Sequence, residues 1–175
     1  MQKDALLSQL ENAKNNYVLG LAAVSLFCSL ETELIRERNR AEFGSYVLDF
    51  SQVAALLRQE EDRNIAVHEF LKSQIRSFVK ESFELLKAYC KQTGQFETFK
   101  AADWYHFSRI VRNSLSHDFK VTFNSGDEKL VPVMWGSRKI DLEMDGSDIT
   151  FNFFGYVEAW ELFLEFERFA RAHLR

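Results

Sequence analysis

The chain has 175 residues, and seventeen of them are Phe, against seven Gly and one Pro. With 46% hydrophobic and 27% charged residues it is neither a disordered polymer nor a membrane bundle, and its length suits one domain spanning 1–175. A net charge of −4 excludes a non-specific nucleic-acid coat protein, so any contact with RNA or DNA must be local.

The first forty residues hold no proline and one glycine. Leu19, Ala22 or Ala23, Leu26 and Leu30 recur at helical spacing, which predicts one long helix with a deeply buried middle, ended by Gly44. The apolar run Tyr17–Leu30 is too short to span a bilayer, and no basic segment precedes it. It reads as a buried helix of a cytoplasmic protein without a membrane contact. Residues 46–58 carry a shorter apolar pattern. From about Glu60 to Gln92, Val67, Leu71, Ile75, Val79, Phe83, Leu86 and Cys90 step by three or four, predicting a long amphipathic helix stopped by Gly94. Residues 97–117 predict another helix.

Between 119 and 154 the pattern changes. Phe119–Phe123, Leu130–Trp135, Lys139–Leu142 and Ile149–Phe154 read as short strands punctuated by Gly126, Gly136 and Gly146. Tyr156–His173 closes the chain as an apolar helix on which Val157, Trp160, Leu164 (and Phe163), Glu167 and Arg171 repeat. The expected fold is mainly α: an antiparallel helical bundle with a β-rich insert at 118–154 before the C-terminal helix. Cys28 and Cys90 have no second pair, which leaves neither a disulfide framework nor a zinc ribbon.

Chemistry concentrates in Asp103–Phe119. On an ideal helix Tyr105, His106, Arg109, Arg112, Asn113, Ser116 and His117 share one side, and Trp104, Phe107, Val111 and Leu115 the other. The polar arc holds guanidinium, imidazole, amide and hydroxyl groups and no carboxylate. Such a surface suits a phosphate, because Arg gives bidentate hydrogen bonds and His a proton exchangeable near neutral pH. The plain alternative is a solvated helix face.

Arg112-Asn113-Ser114-Leu115-Ser116-His117 resembles the R-x4-H signature of the HEPN superfamily, in which a polar residue often follows the Arg. The resemblance is specific over about 15 residues of motif context and architectural elsewhere. It implies an all-α bundle that dimerises to bring two motifs to one cleft. It further implies a metal-independent endoribonuclease of toxin–antitoxin, defence or RNA-processing type, with no cofactor and with RNA as partner. In that reading Arg112, Asn113 and His117 are catalytic. Ser116, Arg109 and His106 contact substrate, and an antitoxin is a possible partner. The alternatives are a HEPN-like module that binds nucleotide, RNA or protein without cutting, and a helical interaction protein.

The spacing occurs twice more, at Arg63–His68 and Arg168–His173. The first lies early in a long helix, from which His68 could approach the same cleft. The second lies near a C-terminus expected to fray. One toxin branch of the family carries a Tyr two residues after the His as a nucleotide acceptor. Phe119 stands there, so that mode of control is not implied. In the insert, the Trp135–Lys139 turn is a possible substrate lip. Six acidic against three basic residues between Asp127 and Asp148 favour a solvated hairpin instead. Glu158, Glu161, Glu165 and Glu167 lack His partners at helical spacing and read as a charged outer face, not a metal site. Most Phe are expected in the core, with any surplus at a dimer interface.

Overall fold

A computed structural model describes residues 2–29 and 39–175. The protein is mainly helical, with two small antiparallel hairpins. In chain order the elements are α1 (Lys3–Phe27), β1 (Arg40–Phe43), β2 (Tyr46–Asp49), α2 (Phe50–Arg58), α3 (Glu60–Gln92) and α4 (Phe96–Lys100). They are followed by α5 (Tyr105–Ser116), β3 (Val133–Trp135), β4 (Arg138–Ile140), a 3₁₀ turn at Leu142–Met144, and α6 (Tyr156–His173). The chain divides into two compact units. One comprises the residues up to Asn16 together with Ile75–Arg175, and the other Tyr17–Gln74.

The larger unit holds the aromatic core. Phe83 and Phe99 pack at 5.3 Å, Phe78 and Phe163 at 4.8 Å, and Trp104 and Phe166 at 4.7 Å, all within the range where aromatic pairs attract beyond simple burial. Helix α1 contributes Leu6, Leu10 and Ala13, spaced by four and three on one face. The expected buried middle of this helix is not found. Leu19 is 69% exposed and Leu26 is exposed as well, while Leu30 lies outside the described residues. The helix ends at Phe27, not at Gly44. Gly44, with φ +61°, instead turns the β1–β2 hairpin, whose Phe43–Tyr46 pair closes a two-residue loop that requires a left-handed position.

Helix α3 has the predicted bounds, Glu60–Gln92, and Gly94 beyond it takes φ +69°. Its buried face is Ile75, Phe78, Val79, Phe83, Leu86 and Cys90. The helix predicted at 97–117 is two helices, α4 and α5, separated by a turn at 101–104. Helix α6 keeps its predicted bounds, but of its predicted repeat Phe163 is buried and Trp160 and Leu164 are only half-buried. Ala159, Leu162, Phe163, Phe166, Phe169 and Ala170 are buried, whereas Val157 is exposed. The C-terminus is anchored, not frayed. Lys3 Nζ donates to Arg171 O at 2.8 Å and Leu174 O at 2.6 Å, the Tyr89 hydroxyl donates to Arg175 O, and Leu174 is buried.

Of the four strands expected in the insert, only β3 and β4 form, paired from Val133↔Ile140 to Trp135↔Arg138. Phe119–Val121 lies beside Gly146–Ile149 through three backbone hydrogen bonds and one isolated bridge, which closes the insert at its base. The insert is packed, not a solvated hairpin: Val133, Ile140 and Ile149 are buried, and Trp135 meets Phe107 at 5.3 Å. Arg138 is also held inward. Its Nε donates to Phe153 O at 2.8 Å, and it forms an ion pair with Glu158. Glu158 also accepts the Gly155 N–H at 2.8 Å at the start of α6, so it does not belong to a charged outer face.

The Tyr17–Gln74 unit is thin. Among its described residues only Tyr17 and Ala54 are buried, and the hairpin exposes Phe43, Tyr46, Val47 and Leu48.

Candidate active site

Helix α5 is placed by its apolar side. Phe107, Ile110, Val111 and Leu115 are buried, and Ser108 and Ser114 turn their hydroxyls back to the carbonyls of Tyr105 and Ile110. Tyr105 belongs to this buried side and not to the polar arc, because its ring packs on Phe99 at 5.0 Å and Phe83 at 5.9 Å. The other polar residues within the helix, His106, Arg109, Arg112, Asn113 and Ser116, are half-buried or exposed, whereas His117 lies beyond the last helical residue.

The structure adds what the arc lacked, carboxylates from other elements. Arg112, with 19% of its side chain exposed, pairs with Glu84 of α3 at 3.1 Å, and its guanidinium lies 5.0 Å from the Phe83 ring centre. Two adjacent residues of α3 therefore fix both the charge and the plane of Arg112. Its Nε is buried without a hydrogen-bond partner. Arg109 pairs with Asp127, which the insert delivers and which is 1% exposed. The Arg109 Nε is likewise buried without a partner.

His106 lies next to that pair. Burial, reinforced by the nearby Arg109 charge, lowers its pKa from 6.5, with Asp127 opposing. Its Nδ1 has no partner.

His117 sits one residue beyond α5. Its backbone N–H donates to the carbonyls of Asn113 (3.1 Å) and Ser114 (3.0 Å), which closes the last turn. Its side chain is exposed, and among the described residues it makes no hydrogen bond or ion pair. The Ser116 hydroxyl donates to Arg112 O at 2.9 Å, and Asn113 is half-buried.

The chain turns sharply after His117. Asp118 (φ 53°) and Phe119 (φ 61°) both take left-handed conformations, which cost a Phe more than an Asp. Arg76 of α3 holds this turn. Its Nε donates to Leu115 O at 2.7 Å, its guanidinium lies 5.6 Å from the Phe119 ring centre, and Nη2 is 4.0 Å from Asp118. A C-terminal helix carbonyl satisfied by a guanidinium is a favourable cap.

Chemically, the end of α5 offers an exposed imidazole at a fixed turn, with an immobilised guanidinium about one and a half turns before it. Glu84, Asp127, Phe83 and Arg76 complete the surroundings; of these only Phe83 stood out in sequence, and as a core position of α3, not as a site residue. Glu84 carries a partial signal, since it directly follows Phe83 on the buried stripe of α3, whereas nothing local marks Asp127. Of the other R-x4-H matches, His68 is exposed on α3 in the Tyr17–Gln74 unit, 3.7 Å from Glu69. His173 stacks on Phe169 at 5.5 Å. No protein-family model, curated protein or solved structure matches the chain.

Proposed function

We propose that the chain is a HEPN-like, metal-independent endoribonuclease. The observation that supports this reading is an exposed His117 imidazole at the turn that ends α5, five positions after an Arg112 guanidinium immobilised by Glu84 and Phe83. His117 takes the proton of a ribose 2′-hydroxyl while Arg112 stabilises the charge that builds on the phosphate. The 2′-oxygen–phosphorus bond forms and the phosphorus–5′-oxygen bond breaks. The leaving oxygen takes a proton from a second imidazolium, supplied by the His117 of another copy in a homodimer. The products end in a 2′,3′-cyclic phosphate and a 5′-hydroxyl. Asn113 orients the pair, and Ser116, Arg109 and His106 contact the substrate. An antitoxin is the matching regulatory partner.

A second reading, a module that binds RNA, nucleotide or protein without cutting, has its own support. Both guanidinium groups of α5 already face carboxylates, Glu84 and Asp127, and a phosphate must displace or share them.

Incubation with mixed RNA in EDTA separates the two. Loss of a general base costs about 10²–10⁴-fold. Arg112→Ala and His117→Ala are each expected to lower cleavage by at least about 10²-fold, with cyclic-phosphate ends in the parent reaction. Equal cleavage by all three proteins refutes the enzyme. RNA binding without cleavage establishes the module.

A further inference from the structure

We infer, independently of the ribonuclease reading, that the β1–β2 hairpin and the apolar groove beside it form the interface through which two copies of this chain pair. Among the described residues ten of the fifteen exposed large apolar side chains lie in the Tyr17–Gln74 unit, although it is about a third of the chain. Apolar side chains exposed singly are ordinary, whereas their concentration marks a contact surface.

The hairpin is patterned for a partner. Its register sets Ala41 opposite Leu48 and Phe43 opposite Tyr46. Side chains alternate along a strand, so these four share one face, and Arg40, Glu42, Val47 and Asp49 share the other. The second face is polar, and Arg40 pairs there with Glu42 at 3.0 Å. The first is apolar and uncovered, with Phe43 63% and Tyr46 77% exposed. Such alternation serves a sheet with one buried face, and a two-stranded hairpin without one is marginal in water.

This face runs into the groove, because Leu48 belongs to both. Phe27 of α1, Phe50 and Val53 of α2, and Val67 and Phe70 of α3 form the other walls. The groove holds about 330 Å³, Phe27 and Phe50 meet edge-on at 5.9 Å within it, and none of the residues lining it is charged.

Three features select a second copy as the occupant. The first is shape. Phe43 and Tyr46 project beside a two-residue turn, and the groove receives groups of the same apolar chemistry. A twofold axis lets each copy offer its rings and accept those of the other, as an isologous interface requires. The second is size. With about 150–250 Å² for a whole aromatic side chain, Phe43, Tyr46 and Phe70 expose roughly 350 Å². A stable interface buries about 800 Å² per partner, a little over half of it apolar, and Leu48 and the groove walls add the remainder. The third is the missing core. Only Tyr17 and Ala54 are buried among the described residues of this unit, far fewer than a unit of its length normally hides. A second copy supplies the other half of a core, which is the character of permanent homodimer interfaces.

Sedimentation equilibrium and light scattering on the full chain, between about 1 and 100 µM, test this. The parent is expected at twice 20.5 kDa. Tyr46→Glu puts a charge on an exposed turn position, so the helical circular dichroism should be kept while pairing weakens by at least about 30-fold. Phe43→Ser is the second variant, with the same expectation. Met134→Glu, at a residue 60% exposed in the other unit, should pair like the parent. Cys28 is exposed in the single chain and lines the groove. An aromatic disulfide reagent should modify it several-fold more slowly in the parent dimer than in Tyr46→Glu, while still reaching one thiol per chain. A parent that stays monomeric overturns the inference, as do equal Cys28 rates. A dimer that neither hairpin variant weakens also overturns it, and leaves the ribonuclease reading to another interface. A dimer that Tyr46→Glu dissociates but that cleaves no RNA upholds this interface and refutes the ribonuclease.

Discussion

Replacing Asp127 by Asn asks what ties the insert to the helices. The carboxylate is 1% exposed, with Oδ1 on Arg109 Nη2 and Oδ2 accepting the Asn124 N–H at 3.4 Å. Removing one partner of a fully buried ion pair costs about 3–5 kcal/mol, since the other charge is left unpaired. Arg109 is 27% exposed, so water recovers part of that charge, and a loss of about 2–3 kcal/mol is expected. In a chain of this length each kcal/mol moves Tm by about 2–4 °C, which gives a fall of about 5–10 °C. Thermal unfolding followed by circular dichroism measures it. Because the Asp127 carboxylate is shielded from solvent, 0.5 M salt should change the difference little. Arg109→Met/Asp127→Asn should lose less than the sum of the single variants, with a coupling above about 1 kcal/mol. A Tm within about 1 °C of the parent, or additive single effects, would refute the argument that this pair holds the insert.

Burial pushes the Cys90 thiol up to about 11, while Cys28 is exposed. An aromatic disulfide reagent at pH 8 should therefore titrate one thiol per native chain and two after denaturation, and two fast-reacting native thiols would contradict the burial. The lowered pKa of His106 means that the folded state disfavours its protonated form. This contribution is intact above pH 6.5 and is lost as pH falls below it. A His106→Gln difference curve should show less loss of stability between pH 7 and 5, and parallel curves would refute it. Asp118 is held at φ 53° with its side chain almost fully solvent-exposed. Asp118→Gly should raise stability by about 0.5–1 kcal/mol in chemical denaturation, and a loss would show that the left-handed turn after His117 is not strained.

Local signals located the longest elements. Helical stepping and Gly94 bound α3 at Glu60–Gln92, and the breakers before Tyr156 bound α6. The face of α6 was not legible, because apolar residues occur nearly all round it and periodicity then selects no side. Contacts selected Ala159, Leu162 and Phe166. The same limit explains α1. Its most apolar run starts at Tyr17, yet among the described residues beyond Tyr17 the helix buries none, and burial falls on Leu6, Leu10, Ala13 and Tyr17 itself. In the insert, β-branched and aromatic runs suggested four strands, but only Val133–Trp135 and Arg138–Ile140 found a full ladder.

The amino-acid sequence alone determined a helical protein and set Arg112, Asn113 and His117 at the end of one amphipathic helix, because a helix fixes the relation of residues three to five apart. The tertiary structure alone decided the charge environment of that helix. Glu84 reaches Arg112 from α3, and Asp127 reaches Arg109 from the insert. Electrostatic interaction depends on distance in space and on the medium between charges, and neither is written in the order of residues along the chain.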